Sequence, residues 1–215
     1  IAVVTRIKDA ILARSEEFAA LISRQNGAPA SSAMRTQVLG AVAAYGTACA
    51  VAAQFPFEES RAGVGGPMLI RPEPVGVVAA IVPWNVPQLV IAAKLAPALL
   101  SGCAVILKPA PETPLDSNLL AEICSQAGLP KGVLSVLPAD RDVSAHLVSH
   151  PGIDKVAFTG SVVAGKAIMA AAATNLTRVT LELGGKSAAI VLEDADIDQA
   201  LPNILAGSFA NSGQA

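Results

Sequence analysis

Between Pro74 and Leu183 the chain alternates short β-branched or apolar runs with longer helical stretches, and this rhythm constrains the fold more than any other feature. Residues 75–82, 104–107, 133–137, 155–158 and 178–181 have the length and composition of strands. Between them, residues 87–100, 115–126, 142–149 and 163–173 carry helical periodicity. Strand, helix, strand repeated in this way calls for parallel strands joined by right-handed crossovers. The expected fold class is therefore α/β, a doubly wound, mostly parallel sheet of Rossmann-like type. Ligands on such sheets bind at the carboxyl ends of the strands, so the turns that follow them are where chemistry is expected.

The flanks read differently. Residues 8–25 and 32–54 have helical patterns separated by Asn26-Gly27 and Pro29, and residues 55–74 form a polar Gly- and Pro-rich connector or extended arm. After Leu183, Gly184-Gly185 breaks the chain, residues 187–192 suggest another strand and residues 197–207 a helix. The expected organisation is one domain over residues 1–183, carrying the opening helices and connector, with a second α/β domain beginning at residues 184–215. The first residue is Ile1, within an amphipathic pattern, so the sequence reads as cut from a longer protein.

Composition narrows the partners. Aromatics are only 3% and hydrophobic residues 53%, which suits an Ala/Val/Leu/Ile core between helices and strands. A net charge of -2 offers no basic footprint for nucleic acid. The most apolar stretch, residues 75–93, is interrupted by Pro83, Asn85, Pro87 and Gln88, so it reads as a buried strand and helix and no membrane association is expected. Cys49, Cys103 and Cys124 lack metal or redox spacing and read as core thiols of a reducing, cytoplasmic compartment.

Four turns carry polar groups suited to chemistry. In Pro83-Trp84-Asn85-Val86-Pro87, an amide held between prolines is a two-donor group able to stabilise an oxyanion, or else a helix cap. Lys108, directly after a strand and before Pro109, can reach a ribose or phosphate, although such a lysine is commonly just solvated. In Phe158-Thr159-Gly160-Ser161, with Gly165 in the following helix, free N–H groups at a helix start form an anion site or simply a capped turn. In Leu181-Glu182-Leu183-Gly184-Gly185-Lys186, a carboxylate between apolar residues would have a raised pKa and serve as a base, or pair with Lys186 or Arg178. No G-x-G-x-x-G follows any expected strand, and Gly63-Val64-Gly65-Gly66 precedes no helix.

In this order, Pro83-Trp84-Asn85, Lys108-Pro109 through Thr113-Pro114, Phe158-Thr159-Gly160-Ser161 and Glu182-Leu183-Gly184-Gly185-Lys186 resemble the NAD(P)-dependent aldehyde dehydrogenase superfamily. The final Asn211-Ser212-Gly213-Gln214-Ala215 fits as well, since a Gly-Gln-x-Cys run delivers the nucleophile in that family; a cysteine is expected next after Ala215. The resemblance implies oxidation of a small-molecule aldehyde to a carboxylic acid through a cysteine thiohemiacetal and thioester. It implies Asn85 as the oxyanion amide and Glu182 as the base that activates water. It also implies Lys108 at the adenosine ribose, Gly160, Ser161 and Gly165 at the pyrophosphate, and Trp84 and Leu183 along the cofactor wall. Gln88, Leu89 and Lys94 are candidates to line the substrate channel. A homodimer or homotetramer is implied for the full-length protein.

Pro111 stands where many NAD-preferring members have Glu, with Glu112 one place later, which leaves NAD versus NADP open; NAD is the expected cofactor and NADP the alternative. Ala139 replaces a usual glycine, and Ala188 a common proline. Two rival functions are a CoA-acylating dehydrogenase, against which Glu182 argues, and a non-catalytic dinucleotide-binding module; a 215-residue chain ending at Ala215 is expected to be inactive alone. Cys103, without a neighbouring base in sequence, reads as a packed thiol.

Overall fold

A computed structural model describes residues 1–214. The helical N-terminal pattern divides into α1 (Ala2–Ala13) and α2 (Ser15–Asn26), broken at Arg14, with Gly27 in the left-handed region ending α2. A short α3 (Ala30–Ser32), a π-helical segment (Ala33–Leu39) and α4 (Gly40–Gln54) then follow as one continuous helix. By length and composition this helix, Ala30–Gln54, is apolar enough to cross a membrane. Here it packs on the α/β body and buries Tyr45 completely, together with Ile7, Ile11, Phe18 and Ile22 of the first two helices.

The connector is more ordered than its composition suggests. Strands β1 (Glu59–Gly63) and β2 (Gly66–Ile70) pair antiparallel, and the Gly63-to-Gly66 segment dismissed as a phosphate loop is the hairpin turn.

The main sheet has five strands, β3 (Val77–Ile81), β4 (Ala104–Lys108), β5 (Leu134–Val136), β6 (Lys155–Gly160) and β7 (Arg178–Leu183). Every pairing is parallel, in the order β5-β4-β3-β6-β7. The intervening helices are α5 (Pro87–Leu100), α6 (Leu115–Gln126), α7 (Arg141–Ser149) and α8 (Val162–Ala173). Strand order runs outward from β3 through β4 and β5, then resumes on the other side with β6, so the topological switch lies between β3 and β6. Two apolar clusters cover the two faces. Ala80, Val105 and Leu107 join α5, α6 and the N-terminal helices, whereas Ala79, Ile81, Val156 and Phe158 pack with α7 and α8. This alternation of neighbours along each strand is what a sheet buried on both faces requires.

Residues 187–192 form no strand, contrary to the pattern in the sequence. No described segment lies alongside to pair with them, and Ile190 and Leu192 are largely exposed. The last helix, α9 (Ile197–Ser208), is capped by the Asp196 carboxylate accepting from the Gln199 N–H.

Candidate active site

Strand register brings the candidate residues to one edge. Ile81 of β3 lies opposite Lys108 of β4 on one side and Phe158 of β6 on the other. Thr159 and Gly160 lie opposite Glu182 and Leu183 of β7. Parallel pairing therefore aligns the carboxyl ends of β3, β4, β6 and β7 at the switch-point crevice.

Asn85 does not cap α5. The N-cap is Val86, and it makes no side-chain cap bond. Instead the Asn85 side-chain Nδ2 donates to the Gln214 carbonyl at 2.6 Å. An amide nitrogen carries two hydrogens, so this bond fixes the side chain and leaves one donor uncommitted among the described residues. The Asn85 main-chain carbonyl accepts from Asn26, Gln37 and Asn211. Trp84 is 43% exposed, and its carbonyl accepts from Asn26 Nδ2 at 3.3 Å.

Lys108 is buried, and burial lowers its ammonium pKa against the opposing carboxylates of Glu112 and Asp140. It shares a cleft of about 420 Å³ with Arg141, Ser161 and the apolar side chains of Val148, Val163 and Ile168. Ser161 caps α8, its Oγ accepting from the Ala164 N–H at 3.2 Å. Its hydroxyl hydrogen stays free to donate, so the capped turn and the anion site coexist in one geometry. Arg141 was not legible as a site residue, because nothing local to the start of α7 says that this helix faces α8.

Two glycines here sit directly against neighbouring side chains. A Cβ on Gly160 would stand 2.5 Å from Phe158 Cζ, and one on Gly165 would stand 2.7 Å from Leu183 Cδ2. Gly165 thus serves close packing of α8 on β7.

Glu182 differs from its sequence expectation. It is exposed at the end of edge strand β7, not buried, and among the described residues it forms no ion pair with Arg178 or Lys186. It faces a cleft of about 590 Å³ lined also by Leu89, Lys94, Lys155 and Thr159. Burial lowers the Lys94 pKa, the Glu182 charge opposes that shift and Lys155 reinforces it. Leu89 and Lys94 line this cleft with Glu182, whereas Gln88 does not. Fully buried, Gln88 donates from Nε2 to the Asp116 carboxylate at 2.7 Å, because its place on α5 faces α6.

The cysteines behave as packed thiols. Cys103 and Cys124 are buried, Cys49 is half-buried, and burial pushes the Cys124 thiol up to about 12. Ala215, and the cysteine expected after it, lie outside the described residues.

The Lys108 cleft is of ordinary ligand-site size, with apolar walls, two cationic side chains and the start of a 12-residue helix. That combination fits an adenosine and its phosphates. Sheet order, crevice and donor set together define a doubly wound α/β domain of Rossmann type. The chain belongs to the aldehyde dehydrogenase family, whose family model matches residues 1–215. It is 48% identical over 211 residues to geranial dehydrogenase of Castellaniella defragrans, covering 98% of this chain and 44% of that protein. Its structure matches that of Mycobacterium tuberculosis aldehyde dehydrogenase complexed with NAD+ with a TM-score of 0.95 and 42% identity, covering 100% of this chain and 44% of the other. An aldehyde dehydrogenase C mutant from Pseudomonas syringae, in complex with NAD+ and octanal, matches with a TM-score of 0.94 at 41% identity, again over 100% and 44% of the two chains. The chain thus spans less than half the length of these relatives.

Proposed function

We propose that the protein containing this chain oxidises a small-molecule aldehyde to a carboxylic acid with NAD, using a cysteine nucleophile beyond residue 215. The observation that carries this reading is the convergence of Asn85, Lys108, Ser161 and Glu182 on one sheet edge. Residues 1–183 serve as the cofactor-binding domain and residues 184–215 open the catalytic one.

NAD, when bound, supplies the hydride acceptor. Lys108 and Arg141 offer positive charge in the cleft, and Ser161 with the α8 N-terminus offers hydrogen-bond donors for phosphate oxygens. The uncommitted Asn85 N–H stabilises the oxygen of the aldehyde as thiolate attack makes it an alkoxide, an effect worth roughly 3 kcal/mol per donor in comparable sites. Glu182, exposed beside Lys94, takes a proton from the water that hydrolyses the thioester. The full-length protein associates as the homodimer or homotetramer implied by the resemblance.

The test is Glu182→Gln in the full-length protein. It releases about one NADH per site and then stops, with the acyl adduct visible by intact mass. Sustained turnover in that variant sinks the base assignment. Wild-type turnover that requires coenzyme A favours the acylating alternative.

A further inference from the structure

The main-chain carbonyl of Asn85 accepts hydrogen bonds from three regions far apart in sequence. Asn26 Nδ2 at the end of α2 donates at 3.1 Å, Gln37 Nε2 in the π-helical segment at 3.3 Å, and Asn211 Nδ2 near the C-terminus at 2.8 Å. Gln37 Nε2 donates also to Asn211 Oδ1 at 3.3 Å. A carbonyl oxygen has two lone pairs, so three donors exceed what satisfying this acceptor needs. Gln37 is completely buried, and its Oε1 finds no hydrogen-bond partner among the described residues. An amide held in this way costs free energy that an apolar side chain of the same size would avoid.

Location gives that cost a purpose. One Gln37 nitrogen bridges the Pro83-to-Pro87 turn and the Asn211-to-Gln214 turn, while the Asn85 side chain bonds the Gln214 carbonyl. Asn211 and Ser212 adopt positive φ, so this second turn is tightly coiled just where it meets Asn85. The π-helical geometry at Ala33–Leu39 matters as well. Its wider turn changes the angular position of every residue within it relative to an α-helix, and Gln37 sits inside it facing the site.

We propose that Gln37 is a positioning residue, fixing the separation and orientation of the Asn85 turn relative to the chain leading into the nucleophile. It thereby holds the Asn85 amide in line with the chain that carries the nucleophile. The proposal rests on the oxyanion reading of Asn85.

A double-mutant cycle in the full-length protein tests it, using Gln37→Met, Asn85→Ala and the pair. Kinetics are read as kcat and aldehyde KM per titrated active site, with NAD Kd and thermal unfolding measured alongside. Gln37→Met keeps length and apolar bulk but removes both donors. It lowers kcat about tenfold, with KM and NAD Kd within about twofold, and has no further effect once Asn85 is Ala. Gln37→Glu, whose protonated carboxyl keeps the shape and one donor, recovers part of the lost kcat and serves as the reporter if the Met variant does not fold. An unchanged kcat for Gln37→Met, or a loss that adds fully to that of Asn85→Ala, overturns the positioning role and leaves the Asn85 reading intact. A full kcat in Asn85→Ala alone overturns the oxyanion reading, and the Gln37 role with it.

Discussion

Leu183 packs so closely on α8 that a Cβ added to Gly165 would stand 2.7 Å from its Cδ2 and 3.0 Å from its Cδ1. The contact joins the end of β7 to the helix whose first turn carries Ser161. It couples the floor of the proposed cofactor cleft to the strand that presents Glu182.

Gly165→Ala separates binding from stability. Leu183 is 39% exposed and its methyl groups are the far end of a flexible side chain, so it swings aside at modest cost. Replacing this glycine, the fourth residue of α8, with alanine returns up to about 1 kcal/mol of helix propensity. The two effects nearly cancel in unfolding, and the expected outcome is a Tm within a few degrees of wild type with weakened NAD binding. Calorimetric titration beside thermal unfolding checks it; unchanged NAD affinity means that Leu183 does not shape the cofactor wall.

Lys108→Met tests the cleft directly. A buried ammonium bonded to a ligand contributes about 1.5–3 kcal/mol, so NAD affinity falls roughly ten- to a hundredfold. The loss follows from removing a cation that burial already disfavours and that Glu112 and Asp140 help to retain. Binding measured by calorimetry with NAD decides it, and wild-type affinity in the variant removes Lys108 from the site.

Asp116 gives the fold a pH dependence of its own. Its carboxyl is wholly buried between Gln25 and Gln88, and burial, only partly offset by those amide donors, raises its pKa from 3.8 to about 6. A raised carboxyl pKa means that the folded state holds a proton that the unfolded chain has released. Stability from this group is therefore fullest below about pH 4 and lost as pH rises to about 6, by on the order of 2–3 kcal/mol. Asp116→Asn removes most of that slope and gains stability at pH 8, measured as urea unfolding at intervals from pH 4 to 8. A slope unchanged by the substitution assigns the dependence to another group.

How much was legible follows from which interactions are local. The helices from Pro87 to Leu100 and from Leu115 to Gln126, and the five parallel strands, follow the hydrophobic periodicity closely because each buries a face set by its own residues. The connector misled because its β1–β2 hairpin gains stability by pairing with itself, with little apolar patterning to announce it. Residues 187–192 carry an apolar run but form no strand, because a strand needs a partner and none pairs with them among the described residues. At the candidate site, the sequence pattern marked Asn85 and Ser161, which lie in the turns after β3 and β6, and Lys108 and Glu182, which lie at the ends of β4 and β7. Arg141 and Gln37 were not marked, since the start of α7 and the π-helical segment are brought there only by tertiary packing.

The sequence by itself determined the alternation of elements, hence the parallel sheet, and the identity of the groups at its carboxyl edge. Those are consequences of periodicity and of chain direction. Tertiary structure alone decided that one Asn85 N–H bonds Gln214 instead of capping a helix, that Glu182 forms no ion pair among the described residues, and that Gln88 turns to Asp116. Solvent access and hydrogen-bond partners at these positions come from elements more than a dozen residues away. No local propensity encodes them, because they exist only once α2, the π-helical turn, α6 and the C-terminal segment have packed around the sheet.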